Sequence, residues 1–177
     1  MTHIFLLVFP HMAKQLKKFF KELAVLLLII IITSIGVNLY KTRNAVTGPA
    51  PELSEISIKG KSLTLLNQEQ PVLVHFWATW CPVCSLGHGT IDSIAKDYPV
   101  ISIAMQSGNE QELLNFMSEK QLSYPVIEDD AGEIARQWNV RGVPASFIIS
   151  PGGEIEFVEI GYSSEIGLRL RLWWANK

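Results

Sequence analysis

The chain has 177 residues, 48% of them apolar, with a net charge of −2 and a pI near 6.1, enough for one ordinary folded domain with some chain left over. No basic run lies outside the N-terminus and no basic stripe is interleaved with aromatics, which argues against nucleic acid as a partner. Two cysteines alone rule out a disulfide-stapled miniprotein and a four-cysteine zinc site.

Residues 1–11, MTHIFLLVFPH, are apolar but only about half as long as a membrane span, and Pro10 interrupts them. From Met12 the chain reads as a complete basic-then-apolar leader, so Met12 is the expected start and residues 1–11 a mis-assigned extension. Residues 23–40, LAVLLLIIIITSIGVNLY, carry no charge, and as a helix they would reach roughly 27 Å, close to the hydrocarbon thickness of a bilayer. A buried core helix would show a polar face, and a cleaved signal would end at a small-x-small site; neither is present. An uncleaved transmembrane signal anchor is therefore expected. Lys14, Lys17, Lys18 and Lys21 precede it, while only Lys41 and Arg43 follow closely. That asymmetry puts residues 1–22 in the cytoplasm and the rest outside, which in a bacterium is the periplasm, where disulfide chemistry is permitted.

Residues 41–52 contain Gly48, Pro49 and Pro51 and read as a tether, leaving one domain over 53–177. Within it, ISIKGKSLTL (56–65) reads as a hairpin turning at Gly60. PVLVHFWA and VISIAMQ are nearly continuous apolar runs, the pattern of strands buried on both faces. Between them Ile91, Ile94, Ala95 and Tyr98 recur at helical spacing, with a kink expected at Gly87 and Gly89. Ser107 with Glu110, and Asp130 with Glu133, are expected capping boxes for two further helices, and the run 128–130 reads as a solvated turn. ASFIIS, PGG and EIEFVEIGY predict an antiparallel strand pair, and SEIGLRLRLWW a closing helix capped by Ser163 or Ser164. The order describes an α/β layered domain.

Both cysteines lie in VHFWATWCPVC, three positions apart, a spacing that random placement gives about 1% of the time. A purely structural disulfide is a poor explanation, because so short a loop removes little entropy from the unfolded chain. Cys81 falls where a buried strand ends and a helix begins, so the unpaired N–H groups and positive end of the helix favour its thiolate. Pro82 suits the first helical turn, where its missing N–H would have had no partner. One turn on, Cys84 comes back within disulfide range of Cys81. Cys81 can then attack a disulfide, and Cys84 can resolve the mixed disulfide by attacking the Cys81 sulfur.

VLVHFWATWCPVC (72–84) together with VRGVPASFII (140–149) resembles the thioredoxin superfamily. More closely the chain is similar to the membrane-anchored periplasmic oxidoreductases of the TlpA/ResA/DsbE group, and within it the CPVC pair and layout are most similar to the ScsD type of copper-sensitivity suppressor. The resemblance implies a thioredoxin-like fold, a central mixed sheet flanked by helices. It implies a protein thiol–disulfide oxidoreductase with no cofactor beyond the Cys81–Cys84 disulfide and no bound metal. It implies periplasmic protein substrates with cysteines and a membrane thiol donor of DsbD type, with electrons used for cytochrome c maturation, copper-site maturation or copper tolerance. The Val143–Pro144 bond should be cis and lie beside Cys81, where an ordinary strand-leading proline would be trans. The Val143 backbone would pair with an extended substrate chain, and Trp80, Pro82 and Pro144 would complete the substrate-binding rim.

His75 departs from that family. The corresponding position in thioredoxins carries a buried aspartate that exchanges a proton with the second cysteine; the anchored relatives often have asparagine there and a glutamate three residues after that cysteine, where this chain has Gly87. His75 shares a strand face with Leu73 and Trp77. It is either a neutral buried histidine bonded to a carbonyl or the group that takes the Cys84 proton. His88, one turn after Cys84, is expected in solvent. Trp77 and Trp80 are expected to pack near the site, and Trp138, Trp173 and Trp174 to pack in the core or along a helix. The alternative function is a Cu(I)-binding or copper-delivery module using Cys81, Cys84 and His88, since soft thiolates hold that ion.

Overall fold

The computed structural model describes residues 5–42, 46–65 and 68–177, with side chains of the first helix described at 17–33, 36 and 37. The chain divides into two units, Met1–Lys41 and Thr42–Lys177. The described residues of the first belong to one helix, α1 (Phe5–Thr42), which runs on through Pro10. Pro10 sits near the N-terminal end, where a missing N–H costs at most one bond of a long ladder. From Leu23 to Ile32 its large apolar side chains are exposed. Among the described residues no helix is long and apolar enough to cross a membrane; the span expected at 23–40 extends over 34, 35 and 38–40, whose side chains lie outside the described residues.

The second unit is built on β4 (Val72–Trp77), all six of whose residues are buried. It pairs in parallel with β5 (Val100–Met105) and antiparallel with β7 (Ala145–Ile149). Outside these lie β6 (Val126–Asp129) on one side, and β8 (Glu154–Ile160) then β1 (Gly48–Pro49) on the other, giving the order β1-β8-β7-β4-β5-β6. This is the mixed sheet flanked by helices. β2 (Ser54–Ile56) and β3 (Ser62–Thr64) form the separate hairpin expected around Gly60, whose φ of +75° suits a residue without Cβ.

The pleat of β4 sorts the core into two halves. Leu73 and Trp77 point into one, with Cys84, Ile91 and Ile94 of α2 (Pro82–Ile94), Leu113 and Met117 of α3 (Glu110–Glu119), and Leu168 and Leu172 of α5 (Glu165–Ala175). Val72, Val74 and Phe76 point into the other, with Leu53, Leu63, and Ala135 and Trp138 at α4 (Glu133–Gln137). Both faces being covered explains the unbroken apolar runs.

Several local expectations shift. α2 continues without interruption through Gly87 and Gly89, because the buried Cys84, His88, Ile91 and Ile94 hold one face of it against the core and tertiary packing outweighs low propensity. The first capping box is Asn109 with Glu112, not Ser107 with Glu110; each side chain of that pair bonds the other's backbone N–H. The helix at 133 is capped by Asp129 rather than Asp130: its carboxylate accepts from Ile134 N–H (3.1 Å) and Ala135 N–H (2.9 Å). Glu128 and Asp129 accordingly belong to β6 instead of a solvated turn, and Asp129 is buried. Part of the segment read as a tether joins the sheet, since Gly48 and Pro49 pair with Ile155 and Glu154. The closing helix is capped by Ser164. Trp138 is in the core, but Trp173 and Trp174 stand 53% and 60% exposed, with Lys177 Nζ 4.0 Å from the Trp173 ring centre.

Replacing Asp129 with Ala should remove both bonds to the start of α4 and cost about 1–2 kcal/mol, read as a shift of the urea midpoint. Asp130→Ala, which loses one exposed bond to Gly108 N–H, should move the midpoint far less.

Candidate active site

β4 ends at Trp77, and the next few residues are held by the chain that leaves β5. Thr79 N–H donates to Ser107 Oγ (3.0 Å), whose hydroxyl donates to Met105 O (2.9 Å). Trp80 Nε1–H donates to Gln106 O (2.8 Å) while its ring stays 60% exposed. Cys81 is thus presented as the N-cap of α2, in extended conformation (φ −91°, ψ 110°), with Pro82 following in the first helical turn. Cys84 N–H donates to Cys81 Sγ at 3.2 Å, so the sulfur occupies the place where an N-cap oxygen usually sits. The first turn of α2 carries no acidic residue to offset the positive helix end.

Cys81 and Cys84 are joined as a disulfide, their Cα atoms 5.3 Å apart. Cys84 is fully buried and Cys81 only slightly exposed, so the pair is approached from the Cys81 side. Val143 O lies 3.7 Å from Cys81 Sγ. The Val143–Pro144 bond is cis, and Pro144 is held to the end of β8 through Gly161 N–H (2.8 Å). Pro82 and Val83 are exposed beside the pair, as is Trp80, and Val143 is half-buried.

His75 faces the same half of the core as Leu73 and Trp77 and is 4% exposed. Its Nδ1 is 2.9 Å from Ser146 Oγ, a hydroxyl where the first of the two alternatives had a carbonyl. Burial, and secondarily His88, lower its pKa from 6.5 to about 3, so it is neutral at physiological pH. A narrow cleft is lined by both His75 and Cys84, with Pro144, Ser146, Tyr162 and Ser163. Ser163 Oγ is buried there without a hydrogen-bond partner among the described residues.

His88 is not in solvent. It is 6% exposed, edge-on to Trp77 at 5.0 Å between ring centres, with Nδ1 2.8 Å from Tyr124 OH. The reason is that α2 keeps one face on the core, and position 88 follows Cys84 on that face by one turn. Burial first, then Lys120, lowers its pKa; burial, then Asp92, raises that of Tyr124. His88 Nδ1 is taken up by Tyr124, and among the described residues no group of three or more His, Cys, Asp or Glu side chains is arranged to hold a metal ion.

Gln106, Ser107, Ser146 and Tyr124 position the site, and nothing in the sequence marks them for that role. Ser107 looked like a helix cap, and the pairing of Ser146 with His75 depends on strand register.

A disulfide at the strand-to-helix corner of a mixed sheet, facing a Val–Pro loop, defines a thioredoxin-like thiol–disulfide oxidoreductase. The AhpC/TSA family model matches residues 46–158, and the chain belongs to that family. It is 32% identical to a thioredoxin-like protein of Haemophilus influenzae over 92% of this chain and 98% of that one. It is 34% identical to a DsbE homolog, a thiol:disulfide interchange protein of Paracoccus denitrificans, over 60% of this chain and 61% of the relative. A solved thiol:disulfide interchange protein of the thioredoxin family from Chlorobium tepidum superposes with a TM-score of 0.65 at 25% identity, covering 76% of this chain and 99% of that one.

The lowered pKa of His75 makes stability depend on pH. Below about 6.5 the unfolded chain takes up a proton that the folded one refuses, so stability is full above that value and lost as pH falls toward 3. Urea midpoints of the wild type should therefore drop between pH 7 and pH 5 by more than those of His75→Asn, a difference of roughly 1 kcal/mol per pH unit.

Proposed function

We propose that this chain is a membrane-anchored thiol–disulfide oxidoreductase that reduces disulfides of cysteine-bearing proteins in the bacterial periplasm. The observation that carries the reading is the Cys81–Cys84 disulfide at the N-terminal end of α2, with Val143 O 3.7 Å from Cys81 Sγ. In the reduced enzyme Cys81, its thiolate favoured by the helix end, attacks a substrate disulfide. One substrate sulfur leaves as thiolate and the other is held in a mixed disulfide. Cys84 gives its proton to His75 and attacks Cys81 Sγ, so the Cys81–Cys84 bond forms and the second substrate sulfur is released. Two electrons pass to the substrate, and a membrane thiol donor of DsbD type returns them. Trp80 and Pro82 on the rim, with the Val143–Pro144 loop, hold the substrate chain.

Residues 23–40 anchor the enzyme, supported by their lack of charge, the exposed apolar side chains of α1 and the lysines that precede them. The resemblance carried by residues 72–84 and 140–149 supports work in cytochrome c maturation. The CPVC pair supports the narrower ScsD-type role in copper-site maturation or copper tolerance.

Cys84→Ser should trap client proteins on Cys81 in mixed disulfides that run as heavier bands on non-reducing gels, and Cys81→Ser should trap none. Equilibration with thiol buffers should place the couple near the thioredoxin end, roughly −270 mV; a value near roughly −120 mV would make the enzyme an oxidant instead. Carbonate washing should leave the full chain in the membrane fraction, and its release would remove the anchor from this reading.

A further inference from the structure

His75 and Ser146 are direct partners across the antiparallel β4–β7 pair, so the backbone ladder sets the two side chains opposite one another. Both are buried, their Nδ1 and Oγ atoms are 2.9 Å apart, and both line the cleft that Cys84 also lines. Ser146 follows Pro144 by two residues, so the stretch that brings Val143 O to Cys81 also brings a hydroxyl to His75.

We infer that Ser146 is a positioning residue for disulfide exchange: its hydroxyl accepts a hydrogen bond from His75 Nδ1–H and so leaves His75 Nε2 as the base for the Cys84 proton. This rests on the reading of His75 as the proton acceptor. A neutral imidazole has one N–H and one bare nitrogen, and the partner of one nitrogen decides which is bare. A serine hydroxyl has two lone pairs and a rotatable O–H, so it accepts from Nδ1–H in both the neutral ring and the imidazolium. When the Cys84 proton arrives, the ring carries two N–H groups, and a buried N–H without an acceptor is costly. Ser146 supplies that acceptor without any movement of the strands.

The titratable groups facing His75 are few. Cys84 and His88 come from α2 and Tyr162 from the turn before α5; β5 sets Ser102 beside it in register, and β7 sets Ser146. No carboxylate stands among the described lining residues of the cleft, so His75 is the base available there.

The test uses the full chain in lipid nanodiscs, reduced and mixed with oxidised glutathione, with formation and resolution of the mixed disulfide timed separately across pH. Ser146→Ala should slow resolution about tenfold, a fraction of what loss of the whole base would cost, and move its half-maximal pH upward. Formation should keep its rate, and Ser146→Thr should restore resolution. Wild-type resolution in Ser146→Ala beside slow resolution in His75→Asn would overturn the role of Ser146 and keep that of His75. Wild-type resolution in both variants would overturn both. Equal slowing of formation and resolution would reduce Ser146 to a structural residue and overturn the inference. Nitrogen-15 NMR of the reduced wild type, with His75 assigned by its absence in His75→Asn, should show the proton on Nδ1; a proton on Nε2 overturns the inference whether or not the variants fold.

Discussion

Strand β4 has no solvent-facing side, and the redox pair is where it is because of where that strand stops. Parallel pairing to β5 and antiparallel pairing to β7 fill both its hydrogen-bonding edges, and the two half-cores fill both its faces. Such a strand cannot slide by one residue, since that would exchange Val74 and Phe76 for His75 and Trp77 between the two halves. Its C-terminal end is therefore a fixed point. The bonds from Thr79 to Ser107 and from Trp80 to Gln106 carry that fixity to Cys81, which caps α2 with its sulfur.

The same strand carries His75, and burial decides what that side chain can be. A carboxylate in an apolar pocket has its pKa raised, because burial disfavours its charged form. An imidazole there is driven the other way, toward neutrality, so His75 carries no charge in the folded chain at neutral pH and takes a proton only against the cost of burying a charge. The helix behind the pair is held as firmly. Asp92 accepts from Ser123 N–H (2.7 Å) and its hydroxyl (2.8 Å), and His88 meets Tyr124 OH, so α2 is tied along its length to the segment entering β6. Two glycines in α2 are tolerated because this packing, not intrinsic propensity, sustains the helix.

Apart from Ile56 on β2, the exposed large apolar side chains described on the second unit gather in two places. Trp80, Val83 and Leu86 lie on the first turns at the redox pair, with Tyr162 at the cleft, where an incoming chain bearing a disulfide would be met. Ile166, Leu170, Trp173 and Trp174 stand on α5 away from Leu168 and Leu172, its core contacts.

The pattern of long, two-sided apolar runs determined β4 and β5, and the turn residues determined the β7–β8 hairpin, because alternation and turn chemistry are local properties of the chain. The cysteine spacing, Pro82 and the strand before them likewise marked the redox pair. β6 went unread because VIED is short and acidic, and only its place at the sheet edge and the two N–H groups above Asp129 make it a strand with a cap. Asn109 displaced Ser107 as a cap because the chain turns at Gln106 (φ +49°) and Gly108 (φ +86°), freeing Ser107 to hold Thr79. Whether His88 met water or Tyr124, and whether His75 met a carbonyl or Ser146, depended on contacts 36 and 71 residues away in sequence. Local patterning thus determined the elements and the reacting sulfurs, while the partners of the two histidines were decided by tertiary structure, since hydrogen bonds between distant strands and helices exist only once register and packing are set.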